Sequence, residues 1–169
     1  MRIRPYIPQL DFDTIETWNI DERTHALWCA RILPYPVERE SFHQKLEEVS
    51  ARTGDTPFVM TSDDGNVEGF FSYSLNLETN EGMLKFVMVA PEKRGKGLGQ
   101  EMLKLAVQYA FTSTKADAVR LVVFSENERA KHCYESVGFT VVSDTPDAFQ
   151  FKEESWGRCS MILRKEQTE

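Results

Sequence analysis

The segment from residue 83 to residue 109 narrows the fold of this chain more than any other part of it. Met83–Val89 is rich in apolar and β-branched side chains, which favours a β-strand, and Pro91 ends that strand because proline has no amide hydrogen to donate. Apolar residues then recur at helical spacing from Leu98 to Tyr109. Between them lies a glycine-rich turn that reads Arg94-Gly95-Lys96-Gly97-Leu98-Gly99. The segment therefore predicts a strand, a glycine turn and a helix in direct succession.

The predicted turn has the chemistry of an anion site. Amides at the start of a helix have no helical acceptor, and the helix dipole places partial positive charge there. The glycines let a ligand approach those amides closely, and Lys93, Arg94 and Lys96 add positive charge at the same place. We therefore expect the turn to bind a cofactor that carries a diphosphate.

The glycine turn has three other possible interpretations: a flexible loop, a P-loop and part of a dinucleotide-binding fold. An ordinary flexible loop beside a solvated basic face would show the same alternating glycines. A P-loop for nucleoside triphosphates needs Ser or Thr after Gly-Lys, whereas Gly97 follows Lys96 here. A dinucleotide-binding fold needs an acidic residue at the end of the next strand, whereas Asp117 precedes that strand. The context of strand, turn and helix favours the diphosphate site.

The rest of the sequence predicts one domain over residues 1–169, built on a mixed sheet with helices. The predicted strands are Arg2–Tyr6, Phe58–Thr61, Val67–Leu77, Met83–Val89, Ala118–Phe124, Phe139–Val142, Ala148–Phe151 and Cys159–Leu163. The predicted helices are two short ones within residues 11–33, then Glu38–Arg52, one that begins near Leu98, and Glu128–Val137.

Composition excludes several classes of protein. A formal charge of −7 argues against a general nucleic-acid binder, which needs a broad basic surface. No stretch approaches eighteen consecutive apolar residues, and none near residue 1 has the pattern of a signal peptide, so we expect neither membrane insertion nor secretion. Three widely spaced cysteines without a metal-ligand pattern favour reduced thiols in the cytoplasm and no bound metal.

A second motif follows the strand that ends at Phe124. Asn127 lies where a helix would be capped, and Asn127, Ala130 and Tyr134 are spaced three and four apart, which places them on one stripe of that helix. Taken singly, each has a structural explanation, as a cap, a packing residue and a buried amphipathic anchor. Like the glycine turn, the stripe begins at the end of a strand, so the two motifs are interpreted together.

Together the two motifs resemble the GCN5-related N-acetyltransferase (GNAT) superfamily. Its pyrophosphate signature is Arg or Gln, two residues, Gly, one residue, then Gly or Ala, which Arg94 to Gly99 match in full. Its second element is an Asn after the fifth strand and a Tyr seven residues later, before Gly-Phe; Asn127, Tyr134 and Gly138-Phe139 match it. The resemblance implies an α/β (α+β) acyl-CoA N-acyltransferase fold, with a mixed, mostly antiparallel, splayed sheet flanked by helices.

By position, the resemblance assigns a site for acetyl-CoA. Backbone groups of the strand would pair with the pantetheine arm, amides of the turn would bind the pyrophosphate, and Asn127 would contact the cofactor beyond the thioester. Tyr134 would lie near the cofactor sulfur as the catalytic residue, since its ordinary pKa of about 10 lets it protonate a leaving thiolate at neutral pH. The implied cofactor-binding residues are Val87, Met88, Val89, Arg94, Gly95, Lys96, Gly97, Leu98, Gly99, Gln100 and Asn127.

The implied reaction is direct transfer of an acetyl group to a primary amine of a small molecule or peptide, without a metal or a covalent enzyme intermediate. Cys133 is therefore not expected to be a nucleophile, and the neighbouring His132 points about 100° away on a helix. We keep two alternatives of other classes: a non-catalytic acyl-CoA-binding or sensing module, and a nucleotide-binding domain. A homodimer is compatible with the sequence but is not indicated by any motif.

The general base and the acceptor are left open by the sequence. Some family members that acetylate protein amino termini carry Glu where this chain has Val122, so Asp21, Glu22 and Glu68, water and bulk solvent stay as candidates. The acidic balance favours a cationic amine, although net charge steers ligands rather than identifying them. Aromatic residues of the first helices, such as Trp28, are expected to pack on the sheet rather than line a pocket.

Overall fold

Seven strands form a single sheet in the part of the chain that the computed structural model describes, residues 1–18 and 21–166. The strands are β1 (Arg2–Pro5), β2 (Thr56–Thr61), β3 (Val67–Asn76), β4 (Glu81–Val89), β5 (Ala118–Phe124), β6 (Thr140–Phe151) and β7 (Glu154–Arg164). The helices are α1 (Pro8–Glu16), α2 (Glu22–Cys29), α3 (Arg39–Thr53), α4 (Leu98–Thr112) and α5 (Glu128–Val137). The strand order is β1-β2-β3-β4-β5-β7-β6.

The sheet is mixed, as predicted, and only β4 and β5 pair in parallel among the described strands. Their ladder covers three residue pairs and ends at Met83 opposite Arg120. Each strand continues for several residues past that point without pairing to the other, so the sheet divides into two halves. The expectation of a splayed, mostly antiparallel sheet flanked by helices is confirmed.

The helices cover the two faces of the sheet, and alternation along the strands decides which side chains they bury. On β2, Phe58 and Met60 pack in the core beneath α4 and α5, whereas Val59 between them packs in a second core beneath α1, α2 and α3. A third cluster, which contains Ala26 and Trp156, joins α2 to β6 and β7. Helix α2 therefore lies over the side of the sheet where β4 and β5 separate.

Most predicted elements lie where the sequence placed them, and β5 and α5 have the predicted bounds. The two short helices are α1 and α2, although residues 19 and 20 of the junction between them lie outside the described residues.

The prediction of separate strands at Phe139–Val142 and Ala148–Phe151 was wrong. They are parts of one strand, β6, which continues through Pro146 with two irregularities in its pairing to β7. Proline is tolerated there because β6 is an edge strand and the irregularities absorb the missing hydrogen bond.

Candidate functional site

The glycine turn follows a single 3₁₀ turn (Pro91–Lys93) after β4 and leads directly into α4. Gly95 and Gly97 have φ angles of +79° and +78°, a left-handed conformation that side chains with a Cβ adopt at a cost. Gly99 is needed for a different reason, since a Cβ there would lie 3.2 Å from Cys133 Sγ on α5. Two glycines shape the turn, and the third lets α4 pack closely against α5.

The turn gathers positive charge. Amides of the first turn of α4, at Leu98, Gly99 and Gln100, have no acceptor within the helix. Burial lowers the pKa of the Arg94 guanidinium, and the nearby Arg129 guanidinium lowers it further against an opposing effect of Glu92. A guanidinium whose charge is disfavoured in this way is stabilised by a bound anion.

A cavity of about 450 Å³ extends from this turn along β4 to α5. Its wall includes every residue that the sequence assigned to the site except Lys96, whose side chain is exposed. The predicted residues in the wall are Val87, Met88, Val89, Arg94, Gly95, Gly97, Leu98, Gly99, Gln100, Asn127 and Tyr134. The structure therefore brings the two motifs together on opposite sides of one cavity.

Tyr134 lies in the cavity wall with its side chain 7% exposed. Its ring packs edge-on against Phe139, and no hydrogen bond to its hydroxyl is formed by any described residue. Burial raises the pKa of Tyr134, with a smaller effect from Cys133. The hydroxyl is therefore protonated at neutral pH and available to a ligand.

Asn127 is both the cap of α5 and part of the cavity wall. Its Oδ1 accepts a hydrogen bond from the Ala130 amide at 3.4 Å, which is the capping role that its position suggested. The residue also lines the cavity. The structural and ligand-binding interpretations of this residue are compatible.

Several residues of the wall were not predicted from the sequence. Thr24, Leu27 and Trp28 come from α2, and Leu103 comes from α4. His132 and Cys133, which were not assigned to the cofactor site, also lie in the wall. Burial raises the pKa of the Cys133 thiol, so that thiol is a poor nucleophile at neutral pH.

A β-bulge in β4 lies between the two halves of the sheet. Phe86 and Val87 together oppose one residue of β3, and Phe86 has a φ angle of +54°. Trp28 Nε1 donates a buried hydrogen bond of 2.8 Å to the Phe86 carbonyl oxygen. Trp28 packs on the sheet as predicted, but it also lines the cavity, which the sequence analysis did not expect.

A second cavity, of about 240 Å³, lies between β4 and β5 on the side covered by α2. It shares part of its wall with the first cavity. The shared residues are Leu27, Trp28, Val87, Asn127 and Tyr134. A ligand in either cavity therefore contacts the same central group of residues.

None of the carboxylates considered as a general base lines either cavity. Asp21 caps α2 by accepting a 2.6 Å hydrogen bond from the Thr24 amide. Glu22 pairs with Lys152 at 3.4 Å, and Glu68 lies 4.0 Å from Lys93. Within residues 1–18 and 21–166, the walls of both cavities contain no Asp or Glu.

Two further searches of the described residues gave negative results. They contain no group of three or more His, Cys, Asp or Glu residues arranged to hold a metal ion. Among their helices, none combines the length and hydropathy needed to cross a membrane.

The sequence is similar to those of known acetyltransferases. The family model described as the acetyltransferase (GNAT) family matches residues 14–139. Spermidine N(1)-acetyltransferase of Escherichia coli (strain K12) is 38% identical over 63 residues, which cover 37% of this chain and 34% of that enzyme. Mycothiol acetyltransferase of Streptomyces griseus subsp. griseus is 27% identical over 139 residues, which cover 80% of this chain and 45% of that enzyme. The chain thus spans less than half the length of these two relatives.

The fold is similar to that of a solved acetyltransferase. Superposition on the crystal structure of spermidine N-acetyltransferase from Vibrio cholerae in complex with CoA and spermine gives a TM-score of 0.81. The match covers 96% of this chain and 94% of that chain, at 20% sequence identity. At this identity the likeness concerns the fold.

Proposed function

The chain belongs to the acetyltransferase (GNAT) family, and on that premise we propose that it is an N-acetyltransferase. It moves an acetyl group directly from acetyl-CoA to a primary amine of a small molecule or peptide. The observation that carries this proposal is the pair of cavities that share Tyr134 in their common wall. One cavity suits the donor, and the other gives an acceptor access to the same point.

The first cavity suits the donor because its two ends differ in chemistry. The turn from Arg94 to Gln100 offers amides and positive charge to the diphosphate, and β4 beyond Met83 offers backbone that β5 leaves uncovered to the pantetheine arm. One solved structure with a similar fold, the Vibrio cholerae enzyme, is a complex with CoA, which supports the same assignment. Acetyl-CoA supplies the acetyl group as a thioester.

Tyr134 acts as the general acid. An amine nitrogen in the second cavity forms a bond to the carbonyl carbon, and the carbon–sulfur bond breaks. The Tyr134 hydroxyl gives its proton to the departing sulfur, the nitrogen loses a proton to water, and solvent returns a proton to the Tyr134 oxygen. Water takes that role because the described wall residues include no carboxylate near the acceptor.

Cys133 has no covalent role in this mechanism. This thiol lies in the donor wall, and burial disfavours its thiolate form, so a covalent acetyl-enzyme step through it is not part of the proposal. The names of the relatives, spermidine N(1)-acetyltransferase among them, support an amine acceptor without identifying which amine this chain uses.

The experiment that tests the proposal is an acetylation screen over a broad set of amines, with release of the free CoA thiol as the signal. Calorimetric titration with acetyl-CoA is run in parallel, with ATP and NAD as competitors for the same site. Binding of acetyl-CoA together with thiol release that depends on an amine would support the enzyme. Binding without release from any amine would instead identify a non-catalytic acyl-CoA-binding module, and tighter binding of ATP or NAD would identify a nucleotide site.

Two expectations from the sequence stay predictions. The described cysteines, Cys29, Cys133 and Cys159, are free thiols, which is consistent with the predicted cytoplasmic location. A homodimer has not been tested, and size-exclusion chromatography with light scattering would measure the assembly.

A further inference from the structure

Resting on the proposed function, we infer that the acceptor amine sits on an apolar group and carries an anionic group that Arg158 binds. The evidence lies in the second cavity, which contains the acceptor in that proposal. Its wall is unlike a site for a polycationic amine in both its apolar surface and its charge.

The wall is largely apolar. Leu27 and Ile32 line it from α2 and the loop that follows, Val122 and Phe124 from β5, and Phe149 from β6. An apolar wall disfavours a second ammonium group on the acceptor, because moving a charge out of water without a partner is costly. It favours an aliphatic or aromatic body next to the reacting amine.

The charged residues in the wall are cations. Lys85 and Arg158 line the cavity, and no Asp or Glu does so within the described parts of the chain. A polyamine in this cavity would find no carboxylate in the described wall to pair with and would meet the charge of Arg158 instead. The charge of this wall thus disfavours the cationic amines that the overall negative charge of the chain suggested.

Lys85 and Arg158 differ in whether they already have a partner. Lys85 Nζ lies 3.1 Å and 3.4 Å from the two carboxylate oxygens of Asp55, whose side chain is 3% exposed. Arg158 forms no hydrogen bond or ion pair with its side chain among the described residues. Its guanidinium is therefore the charged group in this wall that can donate two parallel hydrogen bonds to a ligand carboxylate or phosphate.

Arg158 and Tyr134 line the same cavity, so an anion bound at Arg158 lies in the cavity that contains the proposed acid. Arg158 lies opposite Phe124 on β5 and opposite Thr145 on β6, and Tyr134 lies in the same cavity wall. The cavity volume of about 240 Å³ is smaller than the range typical of drug-sized ligands, about 300–1,000 Å³. An acceptor in this cavity is therefore a small molecule, of about the size of a single amino acid.

The test compares amines that differ only in an anionic group. Phenylalanine is paired with 2-phenylethylamine and leucine with 3-methylbutylamine, and spermidine is included as the polycationic acceptor. We expect kcat/KM of the wild type to be about tenfold to a hundredfold higher for the carboxylate member of a pair, as loss of a charge-assisted hydrogen bond implies. Arg158→Gln should remove that difference by lowering only the value for the carboxylate member.

A matched control is available on the same strand. Arg164 lies on β7 but lines neither cavity, so Arg164→Gln should keep the wild-type ratio within each pair. A second measurement does not depend on turnover: 3-phenylpropanoate, which lacks the amine, should raise the melting temperature of the wild type and of Arg164→Gln but not of Arg158→Gln.

The outcomes separate this inference from the proposed function. Acetylation of spermidine or of the decarboxylated amines at least as efficiently as of the carboxylate members overturns the inference while the N-acetyltransferase stands. An equal effect of Arg158→Gln on both members of a pair overturns it too. If no amine releases CoA, the proposed function fails, and the melting experiment still decides whether Arg158 binds an anion.

Discussion

In the proposed mechanism, Tyr134 is the residue on which the chemistry depends most directly. Its side chain is buried, its hydroxyl forms no hydrogen bond with a described residue, and it faces both cavities. We expect Tyr134→Phe to lower kcat by about 10²-fold to 10⁴-fold, the usual contribution of a general acid. The affinity for acetyl-CoA and the free energy of unfolding should change little, because no hydrogen bond within the described protein is lost.

Tyr109→Phe is the control for that substitution. Tyr109 packs on α4 against Phe58 and Tyr73, away from both cavities, so this change should leave kcat unchanged. Stopped-flow detection of the CoA thiol measures kcat, and calorimetry measures the affinity for acetyl-CoA. Wild-type turnover in Tyr134→Phe would remove the tyrosine from the mechanism.

The pH dependence of the reaction should follow the acceptor rather than the enzyme. The described residues around the acceptor include no carboxylate or histidine, so kcat/KM should rise with pH until the amine of the acceptor itself is deprotonated. Since burial raises the pKa of Tyr134 above its ordinary value of about 10, the acid stays protonated and the rate should not fall again below that pH.

This pH dependence is tested by measuring kcat/KM against pH for two acceptors whose amines differ in pKa. The midpoint of the pH profile should move with the amine, and the profile of Tyr134→Phe should keep the same midpoint. A midpoint between pH 5 and 8 that is identical for both acceptors would point to a titrating protein group instead.

Single residues also differ in how far the sequence could predict them. Asn127 and Tyr134 were predictable because both lie in one helical stripe after a strand, and the glycines of the turn because they form one short motif. Trp28 and Arg158 were not, since each reaches the site only through the placement of α2 or β7 over the cleft. Local spacing carries no information about such distant contacts.

Among the elements, the connection from β4 to α4 sets the shape of the donor site. Gly97→Ala would force an alanine into a left-handed conformation and should destabilise the protein by about 1–2 kcal/mol. Because Gly97 also lines the donor cavity, we expect the dissociation constant for acetyl-CoA to rise by about tenfold, that is by roughly 1.4 kcal/mol.

Gly54 offers a matched control at the end of α3. It has a φ angle of +74°, a new Cβ would meet nothing within 4 Å at either glycine, and Gly54 lines neither cavity. Gly54→Ala should cost similar stability and leave the affinity for acetyl-CoA unchanged. Chemical denaturation and calorimetry separate the two effects, and equal losses of affinity would mean that the turn acts only through stability.

The bulge of β4 is held in place by α2. Trp28→Phe removes the hydrogen bond to the Phe86 carbonyl oxygen. The left-handed backbone at Phe86, which lies next to the wall that the two cavities share, is then held less firmly. We expect kcat to fall by about tenfold with a smaller change in the KM for acetyl-CoA, as for loss of positioning worth about 1.4 kcal/mol. Trp156→Phe alters a fully buried tryptophan outside both cavities and should leave kcat near wild type.

Elements with a strong local pattern, such as β5 and α5, were predicted with their bounds, whereas β6 was not. Pro146 breaks the alternation that defines a strand in the sequence, and only the unpaired outer edge of the sheet makes that proline acceptable. The bulge at Phe86 had no sequence signal either, because phenylalanine rarely adopts a positive φ. Tertiary contacts decide both features.

At the scale of the whole molecule, α2 is attached to the end of the sheet formed by β6 and β7. Arg23 binds Glu154 through two contacts of 3.1 Å, Glu22 binds Lys152 at 3.4 Å, and the Arg31 guanidinium lies 5.0 Å from the Phe151 ring centre. These contacts hold α2 against β6 and β7, and all three elements contribute to the wall of the second cavity. The ion pairs are exposed, so they contribute little to overall stability.

Arg23→Ala should therefore raise the KM for the acceptor while leaving the affinity for acetyl-CoA and the melting temperature close to wild type. Glu154→Ala should have the same effect, and the double variant should be no worse than either single change. Added salt should raise the acceptor KM of the wild type more than that of the variants. A matching loss of affinity for acetyl-CoA would show instead that the contacts support the whole fold.

The short ladder between β4 and β5 affects how the molecule unfolds. Within the sheet, the two halves are joined by three residue pairs and the Arg120–Glu81 ion pair of 2.8 Å, while the helices pack across both halves. Amides beyond Met83 and Arg120 on the facing edges then exchange with solvent hydrogen through local opening of this seam. If acetyl-CoA binds across both halves as proposed, its binding free energy adds to the stability of this seam, and the bound chain should exchange these amides more slowly than the free chain.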